Sequence, residues 1–292
     1  MTASTILVAT DFSTDAQRAT ERAARLCAQG VFTHGRLLHV IQQSWVDTVR
    51  RLLDLPAERE EKLLSQTREQ LLDEARSIAA RSDVEFDTCV RIGSIDQIVR
   101  EEASRADVLA LGARGRHPVR DFAIGTTAEH LLRQTRTPLL VVRRDAPENY
   151  RKVLVATDFS PHAQRAFTLA CTIAPEATIH LRHMFDVPFE GMLHFAGLDA
   201  ERIEEYRRSA QAEASAEMRA FIAASGVDPA RVHATVSCTG HIPTGLHEWS
   251  RTIGADLVVV GKHGKNFAEN LLLGSVTLHL LAESTCDVLV AM

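Results

Sequence analysis

The chain has 292 residues, of which 45% are hydrophobic and 24% charged, so it is long enough for two ordinary globular domains. Its 33 basic and 38 acidic residues give a formal net charge of -5, which argues against a general nucleic-acid surface. The N-terminal residues lack a basic start, and no apolar run approaches the roughly 20 residues needed to cross a bilayer, so we expect neither a secretory signal nor a membrane span. Five dispersed cysteines without a CxxC pair are typical of reduced thiols, which predicts a cytoplasmic protein.

The first half alternates short apolar runs with amphipathic stretches. Continuous Val, Leu and Ile runs are typical of strands that are buried on both faces of a parallel sheet. Five such runs predict strands at residues 5–10, 35–41, 86–92, 107–112 and 138–142. The intervening stretches predict helices at residues 14–28, 56–81, 94–104 and 126–134.

The second half repeats the first. VLVATDFS at residues 153–160 differs from ILVATDFS at residues 6–13 in one position, and AQRA follows in both copies. Matching strands are predicted at residues 152–157, 178–184, 231–237, 256–261 and 287–292. The polar stretch 143–152, which contains Pro147, separates the copies. The pattern predicts two tandem, doubly wound (Rossmann-like) α/β domains over residues 1–145 and 151–292.

A second repeated feature follows each fourth strand, with the spacing G-x2-G-x9-G-[ST]. It comprises Gly112, Gly115, Gly125 and Thr126 in the first half, and Gly261, Gly264, Gly274 and Ser275 in the second. The spacing is neither the Walker A pattern nor the GxGxxG fingerprint. Ligands of doubly wound sheets bind beyond the carboxyl ends of the strands, where a glycine turn and a helix start can hold an anion. The spacing therefore favours a phosphate cradle, against the alternative that these residues only form turns and caps.

Together, the ATDFS segments and the glycine spacing resemble the ATP-binding branch of the universal stress protein family. The resemblance covers nearly all of both halves. It implies a five-stranded parallel sheet of order 3-2-1-4-5 in each domain, with ATP along the carboxyl edge. It also implies that the two fifth strands pair within the chain as an intramolecular pseudo-dimer. Whether tandem chains pair again as a homodimer is left open.

The resemblance also implies a set of nucleotide-binding residues in each domain, from adenosine contacts on the first two strands to phosphate contacts in the glycine loop. In the first domain they are Ala9, Thr10, Asp11, Val40, Leu111, Gly112, Arg114, Gly115, Gly125, Thr126 and Thr127. In the second domain they are Ala156, Thr157, Asp158, Met184, Val260, Gly261, His263, Gly264, Gly274, Ser275 and Val276. Val276 in place of Thr127, and Met184 in place of Val40, indicate that the two sites need not be equivalent.

Several other polar residues allow two interpretations. Asp11 and Asp158 are expected to hydrogen-bond the nucleoside or to structure their loop, because no second carboxylate in ATDFS suggests a metal or a general base. His39 and His183 are expected to be packed side chains rather than catalytic bases. The thirteen histidines show no HxxxH or HExxH arrangement, so no metal site is predicted.

The loop cations and one apolar stretch also allow two interpretations each. The basic residues either clamp phosphates or form a solvated surface; they are Arg114, Arg116, His117 and Arg120 in the first loop, and Lys262, His263 and Lys265 in the second. The apolar stretch 186–198 of the second half is either a lid or pocket for an apolar ligand or a packing surface.

Three functions follow from these observations. The leading hypothesis is a stress-response regulator that binds ATP, with or without Mg²⁺, and has no catalytic residues. The second is a slow ATPase, since the sequence offers phosphate cradles but no evident nucleophile or base. The third is a binding module for a different nucleotide, or for an apolar metabolite in the second domain. In each case the expected partner is a small molecule rather than a nucleic acid or a membrane.

Overall fold

The computed structural model describes residues 4–53, 57–115, 126–145, 147–187, 200–265 and 273–292. The chain divides into two compact units, Met1–Asn149 and Tyr150–Met292. Among the described residues, no helix has the length and apolar character needed to cross a membrane.

The first unit alternates strands with helices. Its strands are Thr5–Ala9 (β1), His34–Gln42 (β2), Phe86–Gly93 (β3), Val108–Gly112 (β4) and Leu139–Val142 (β5). Its helices are Thr14–Ala28 (α1), Gln43–Leu53 (α2), Ala57–Ser82 (α3), Ile95–Ala103 (α4) and Thr126–Gln134 (α5). Within the unit the strands are parallel and lie in the order β3-β2-β1-β4-β5, which is the order that the resemblance implies.

The second unit has the same arrangement. Its strands are Lys152–Ala156 (β6), Thr178–Phe185 (β7), Val232–Cys238 (β8), Leu257–Gly261 (β9) and Asp287–Ala291 (β10). Its helices are Pro161–Ile173 (α6), Ala200–Ser225 (α7), Ile242–Thr252 (α8) and Ser275–Glu283 (α9), with a short 3₁₀ helix at Pro229–Arg231. The parallel order is β8-β7-β6-β9-β10.

Burial explains why the apolar runs form the middle of each sheet. The interior residues of β1 and every residue of β9 are buried, as expected of strands covered on both faces. β3 and β8, the outer strands, are mostly half-buried or exposed. The sequence therefore predicts the strands well, but it misses α2, where the polar stretch after the second strand forms a helix.

The crossover helices begin where the sequence places an N-cap. Ser13 Oγ accepts a hydrogen bond from Ala16 N–H at 3.2 Å, and Ser160 Oγ accepts one from Ala163 N–H at 3.1 Å. These serines satisfy first-turn amides that the helix itself leaves without partners. Both helices therefore start immediately after the ATDFS turn, at the carboxyl edge of the sheet.

Gly112→Ala is expected to lower the stability of the first unit by about 1–3 kcal/mol, a usual cost of overpacking. A Cβ at Gly112 would lie 2.5 Å from the carbonyl carbon of Asp15 in α1, whereas one at Gly261 would meet its nearest atom at 3.1 Å. Gly261→Ala is therefore the matched control, with a smaller cost. Urea unfolding of both variants tests this, and equal losses would contradict it.

Candidate functional site

The candidate site of each unit lies where the first, second and fourth strands end. Ala9 and Ala156 are the last residues of β1 and β6, and Gly112 and Gly261 are the last residues of β4 and β9. Parallel strands bring their carboxyl ends to one edge, so the turn after the first strand and the glycine loop after the fourth lie side by side. Leu111 and Val260 precede the glycines and are buried.

The turn after β1 is a hydrogen-bonded unit. Thr10 Oγ1 accepts from Phe12 N–H at 3.1 Å, and Asp11 Oδ1 accepts from Ser13 N–H at 3.0 Å. Phe12 has a φ of 60°, which is in the left-handed region that few residues other than glycine adopt. Such a conformation persists only where its surroundings hold it.

The turn after β6 repeats this geometry. Thr157 Oγ1 accepts from Phe159 N–H at 3.0 Å, Asp158 Oδ1 accepts from Ser160 N–H at 3.0 Å, and Phe159 has a φ of 61°. The same strained turn therefore recurs at the same four-residue sequence in both units. Thr10 and Thr157 are buried by this arrangement.

A histidine of the second strand holds each turn in place. His39 Nδ1 lies 2.8 Å from the carbonyl oxygen of Thr10, and its ring centroid lies 4.5 Å from that of Phe12. A carbonyl oxygen can only accept, so Nδ1 carries the proton. His183 makes the equivalent contacts in the second unit, with a 2.8 Å hydrogen bond and a 4.4 Å centroid distance. Both histidines are thus packed side chains, as expected.

The aspartate of each turn faces the middle glycine of the loop. A Cβ at Gly115 would lie 3.0 Å from Oδ2 of Asp11, and one at Gly264 would lie 2.8 Å from Oδ2 of Asp158. In the second unit, Asp158 Oδ2 also accepts from Lys265 N–H at 2.6 Å. The structure therefore brings the two predicted segments together, and the Lys265 amide of the predicted cradle points at an anionic oxygen.

The first loop glycine has a packing role that the sequence did not indicate. The space beside Gly112, a residue expected to bind the nucleotide, is filled by the backbone of α1 at Asp15 and Ala16. Gly261 faces His162 of α6 in the same way. These glycines are thus explained by close helix packing, and contact with the nucleotide stays a prediction for their main chain.

The end of the second glycine loop forms an open helix start. Gly274 is the N-cap of α9 and provides no side-chain cap, in contrast to Ser13 and Ser160. Its N–H donates to the Lys262 carbonyl oxygen at 3.1 Å, which closes the loop at its base. Thr277 Oγ1 donates to the Gly261 carbonyl oxygen at 2.8 Å and fixes the helix on the strand end. An uncapped helix start attracts anions.

Next to it, Ser275 is exposed and Val276 is half-buried. In the first unit α5 begins at Thr126 and Thr127 is half-buried. Gly125 and the side chain of Thr126 lie outside the described residues, as do Arg116, His117 and Arg120. Of the apolar stretch 186–198, the structure describes only Asp186 and the buried Val187, so the lid and packing interpretations stay predictions.

The cations of the second loop are not arranged as a simple phosphate clamp. Lys262 is only 8% exposed, and burial lowers its pKa below the ordinary lysine value. Lys265 Nζ lies 2.7 Å from Glu217 of α7 and above the Phe159 ring. In the first loop, Arg114 N–H donates to Asp15 Oδ2 at 3.1 Å.

The second-strand residues expected near adenine differ between the units. Met184 is buried, and its Sδ lies 2.9 Å from where a Cβ at Gly245 of α8 would be. Val40 is half-buried. Across the described parts of the chain, no group of three His, Cys, Asp or Glu side chains could hold a metal ion.

Known proteins share this architecture. A family model described as universal stress protein family matches residues 2–143 and 149–291. A universal stress protein of Mycobacterium tuberculosis is 25% identical over 220 residues, which cover 74% of this chain and 70% of that protein. One of Methanocaldococcus jannaschii is 31% identical over 150 residues, which cover 50% of this chain and 85% of that protein.

The fold comparison agrees. The crystal structure of a universal stress protein from Archaeoglobus fulgidus has a TM-score of 0.70 at 18% identity and covers 100% of this chain and 99% of that chain. Two tandem α/β domains with parallel sheets, as predicted, are thus confirmed.

The second unit is expected to lose stability as the pH falls. Burial lowers the pKa of His183 below the ordinary value, and it does the same for His162, His180 and His247. The unfolded chain protonates these rings near about pH 6.5, so the folded state binds fewer protons and loses stability below that pH. Urea unfolding of the chain at about pH 7.5 and pH 5.5 measures the loss.

His183→Gln keeps a donor for the Thr157 carbonyl oxygen but cannot take up a proton. Its loss of stability between the two pH values is expected to be smaller than that of the parent. An identical loss in both proteins would show that His183 does not contribute.

Proposed function

Because the chain belongs to the universal stress protein family, we propose that it is a nucleotide-dependent stress regulator that binds ATP at the carboxyl edge of each domain. One observation carries this proposal: in both units the aspartate after the first strand lies against the middle glycine of the loop after the fourth strand. The two copies differ in much of their sequence but retain this contact.

Two features of the second glycine loop support an anionic ligand. Gly264 itself carries no side chain, and the Asp158 carboxylate lies where one would project. The Lys265 amide points at a carboxylate oxygen, and α9 starts without a side-chain cap. Amide groups and a helix dipole of this kind bind phosphates. Gly264, Gly274, Ser275 and Val276 are the proposed phosphate-binding residues there.

The first unit is proposed to bind in the same way through Gly115, Gly125, Thr126 and Thr127. Asp11 and Asp158 are proposed to orient the nucleoside end, because each carboxylate is already held by a main-chain amide of its own turn. Thr10 and Thr157 stabilise the turn rather than contact the ligand directly, since their hydroxyls bond within it. Mg²⁺, when it accompanies ATP, neutralises phosphate charge.

A binding role explains the site better than rapid hydrolysis does. Water activation needs a positioned base or a pair of carboxylates with a metal. In each unit the aspartate that lies against the loop glycine accepts main-chain hydrogen bonds. Asp15, a second carboxylate beside the first loop, accepts from the Arg114 amide and pairs with Arg18. We therefore propose that occupancy by ATP, and not its turnover, is the signal.

The glycine contacts lead to a stoichiometry experiment. The parent chain is expected to bind two equivalents of ATP, Gly115→Val and Gly264→Val one each, and the double variant none. A branched side chain there must displace the aspartate carboxylate and fill the space beside the amides. Isothermal titration calorimetry counts the sites, and phosphate release over the same period measures turnover.

Gly240→Val is the control, because a Cβ at Gly240 has no atom within 4 Å. It is expected to bind as the parent does. Undiminished ATP binding by the folded double variant would contradict the proposed cradle, and rapid phosphate release by the parent would contradict the binding role.

A further inference from the structure

The duplication allows the two candidate sites to be compared position by position. The repeated ATDFS and AQRA segments align Asp15 with His162, and the glycine spacing aligns Arg114 with His263. In each unit these two positions are in contact, one at the start of the crossover helix and one in the glycine loop. Both partners of one contact have therefore changed between the copies.

In the first unit the contact holds a fixed charge. Asp15 Oδ2 accepts from the Arg114 amide at 3.1 Å, and Asp15 Oδ1 lies 2.6 Å from the Arg18 guanidinium. Arg18 in turn lies 2.7 Å from Asp145. Aspartate and arginine are both charged throughout the physiological pH range, whereas histidine is not. The charges of the Asp15 and Arg114 side chains therefore add up to zero throughout this pH range.

In the second unit the same contact is made by two rings. The His162 and His263 centroids lie 5.4 Å apart at an interplanar angle of 80°. The net charge of this pair is also zero when both rings are neutral, but it becomes +1 or +2 when one or both rings are protonated. At alkaline pH the aligned pairs of the two units thus carry the same net charge, and at acidic pH the pair of the second unit is more positive.

The surroundings of His162 keep the ring neutral without a ligand. Arg165 donates from its guanidinium to Nδ1 at 2.8 Å, and its Nε bonds a Met292 oxygen. Burial lowers the pKa of His162, followed by the charges of Arg165 and His263; Lys262 acts in the same direction and Asp158 opposes them. A bound polyanion would offset these cations and favour the protonated ring.

The pair adjoins residues of the proposed phosphate cradle. A Cβ at Gly261 would lie 3.1 Å from the Cβ of His162, and His263 immediately precedes Gly264. A proton taken up by this pair therefore adds positive charge at the base of the loop whose amides are proposed to hold phosphate.

From this geometry we infer that polyphosphate binding at the second glycine loop is coupled to protonation of the His162–His263 pair, which the first unit replaces with Asp15 and Arg114. The inference rests on the proposed function. One added charge within a Debye length of a bound polyphosphate strengthens binding about five- to tenfold. Relative to a site without these two histidines, the affinity of the second site is expected to rise by that factor as the pH falls from about 8 to about 6.

The test uses the full chain with the first site removed by Gly115→Val, which leaves the second site. Its ATP affinity is measured by calorimetry at both pH values. ATP itself loses charge on acidification, so the comparison is with His162→Asp combined with His263→Arg in the Gly115→Val background. This variant carries the residues that the first unit has at these two positions. The loss of charge from ATP on acidification affects it in the same way as it affects Gly115→Val.

The expected result is that the ratio of ATP affinity at about pH 6 to that at about pH 8 is about five- to tenfold larger for Gly115→Val than for the variant with the exchanged pair. For adenosine, which has no phosphate, this ratio should be equal in the two proteins. An equal ratio for ATP in the two proteins would overturn the inference alone. Absence of both ATP and adenosine binding from the parent chain would overturn the proposed function as well.

Discussion

The contact between the aspartate carboxylate and the glycine loop is the interaction on which each candidate site depends. It joins a turn after the first strand to a loop after the fourth, two segments about a hundred residues apart in sequence. Asp158 reaches the loop because Ser160 N–H and Lys265 N–H hold its two oxygens. The loop accommodates it because Gly264 has no side chain. A carboxylate held by main-chain amides shows that these amides face an anion and not bulk solvent.

Much of this arrangement follows from the sequence. The repeats reveal the duplication, and the buried runs of β1 and β9 reveal the parallel sheets. Two physical features could not be derived so simply. The left-handed Phe12 and Phe159 look like ordinary apolar residues in the sequence. Their conformation is held by hydrogen bonds within the turn and by contact with His39 and His183. Likewise, position 112 requires glycine because the backbone of α1 leaves no room for a side chain. This contact joins distant segments of the chain, so no local sequence pattern encodes it.

The two units share the hydrogen-bonded main-chain geometry of the site, which we call its frame, more closely than they share its charged residues. Hydrogen bonds of the Thr-Asp-Phe-Ser turn agree within 0.1 Å between the units. Around that frame, Asp15 and Arg114 are exchanged for His162 and His263, and Val40 for Met184. Because the frame fixes main-chain amides, such exchanges can alter the affinity and pH response of one site while its geometry is kept. A duplicated chain can thereby hold two related sites with different responses.

The most direct test of the central claim is an amide nitrogen–proton correlation spectrum recorded during ATP titration. Polyphosphate bound in the loop is expected to shift the amide signals of Gly264, Lys265 and Ser275, together with Gly115 in the first unit. Signals of the distant Gly30 and Gly226 turns should stay in place. Shifts elsewhere in the protein, with these loop signals unmoved at saturation, would show that nucleotide does not bind in the glycine loops.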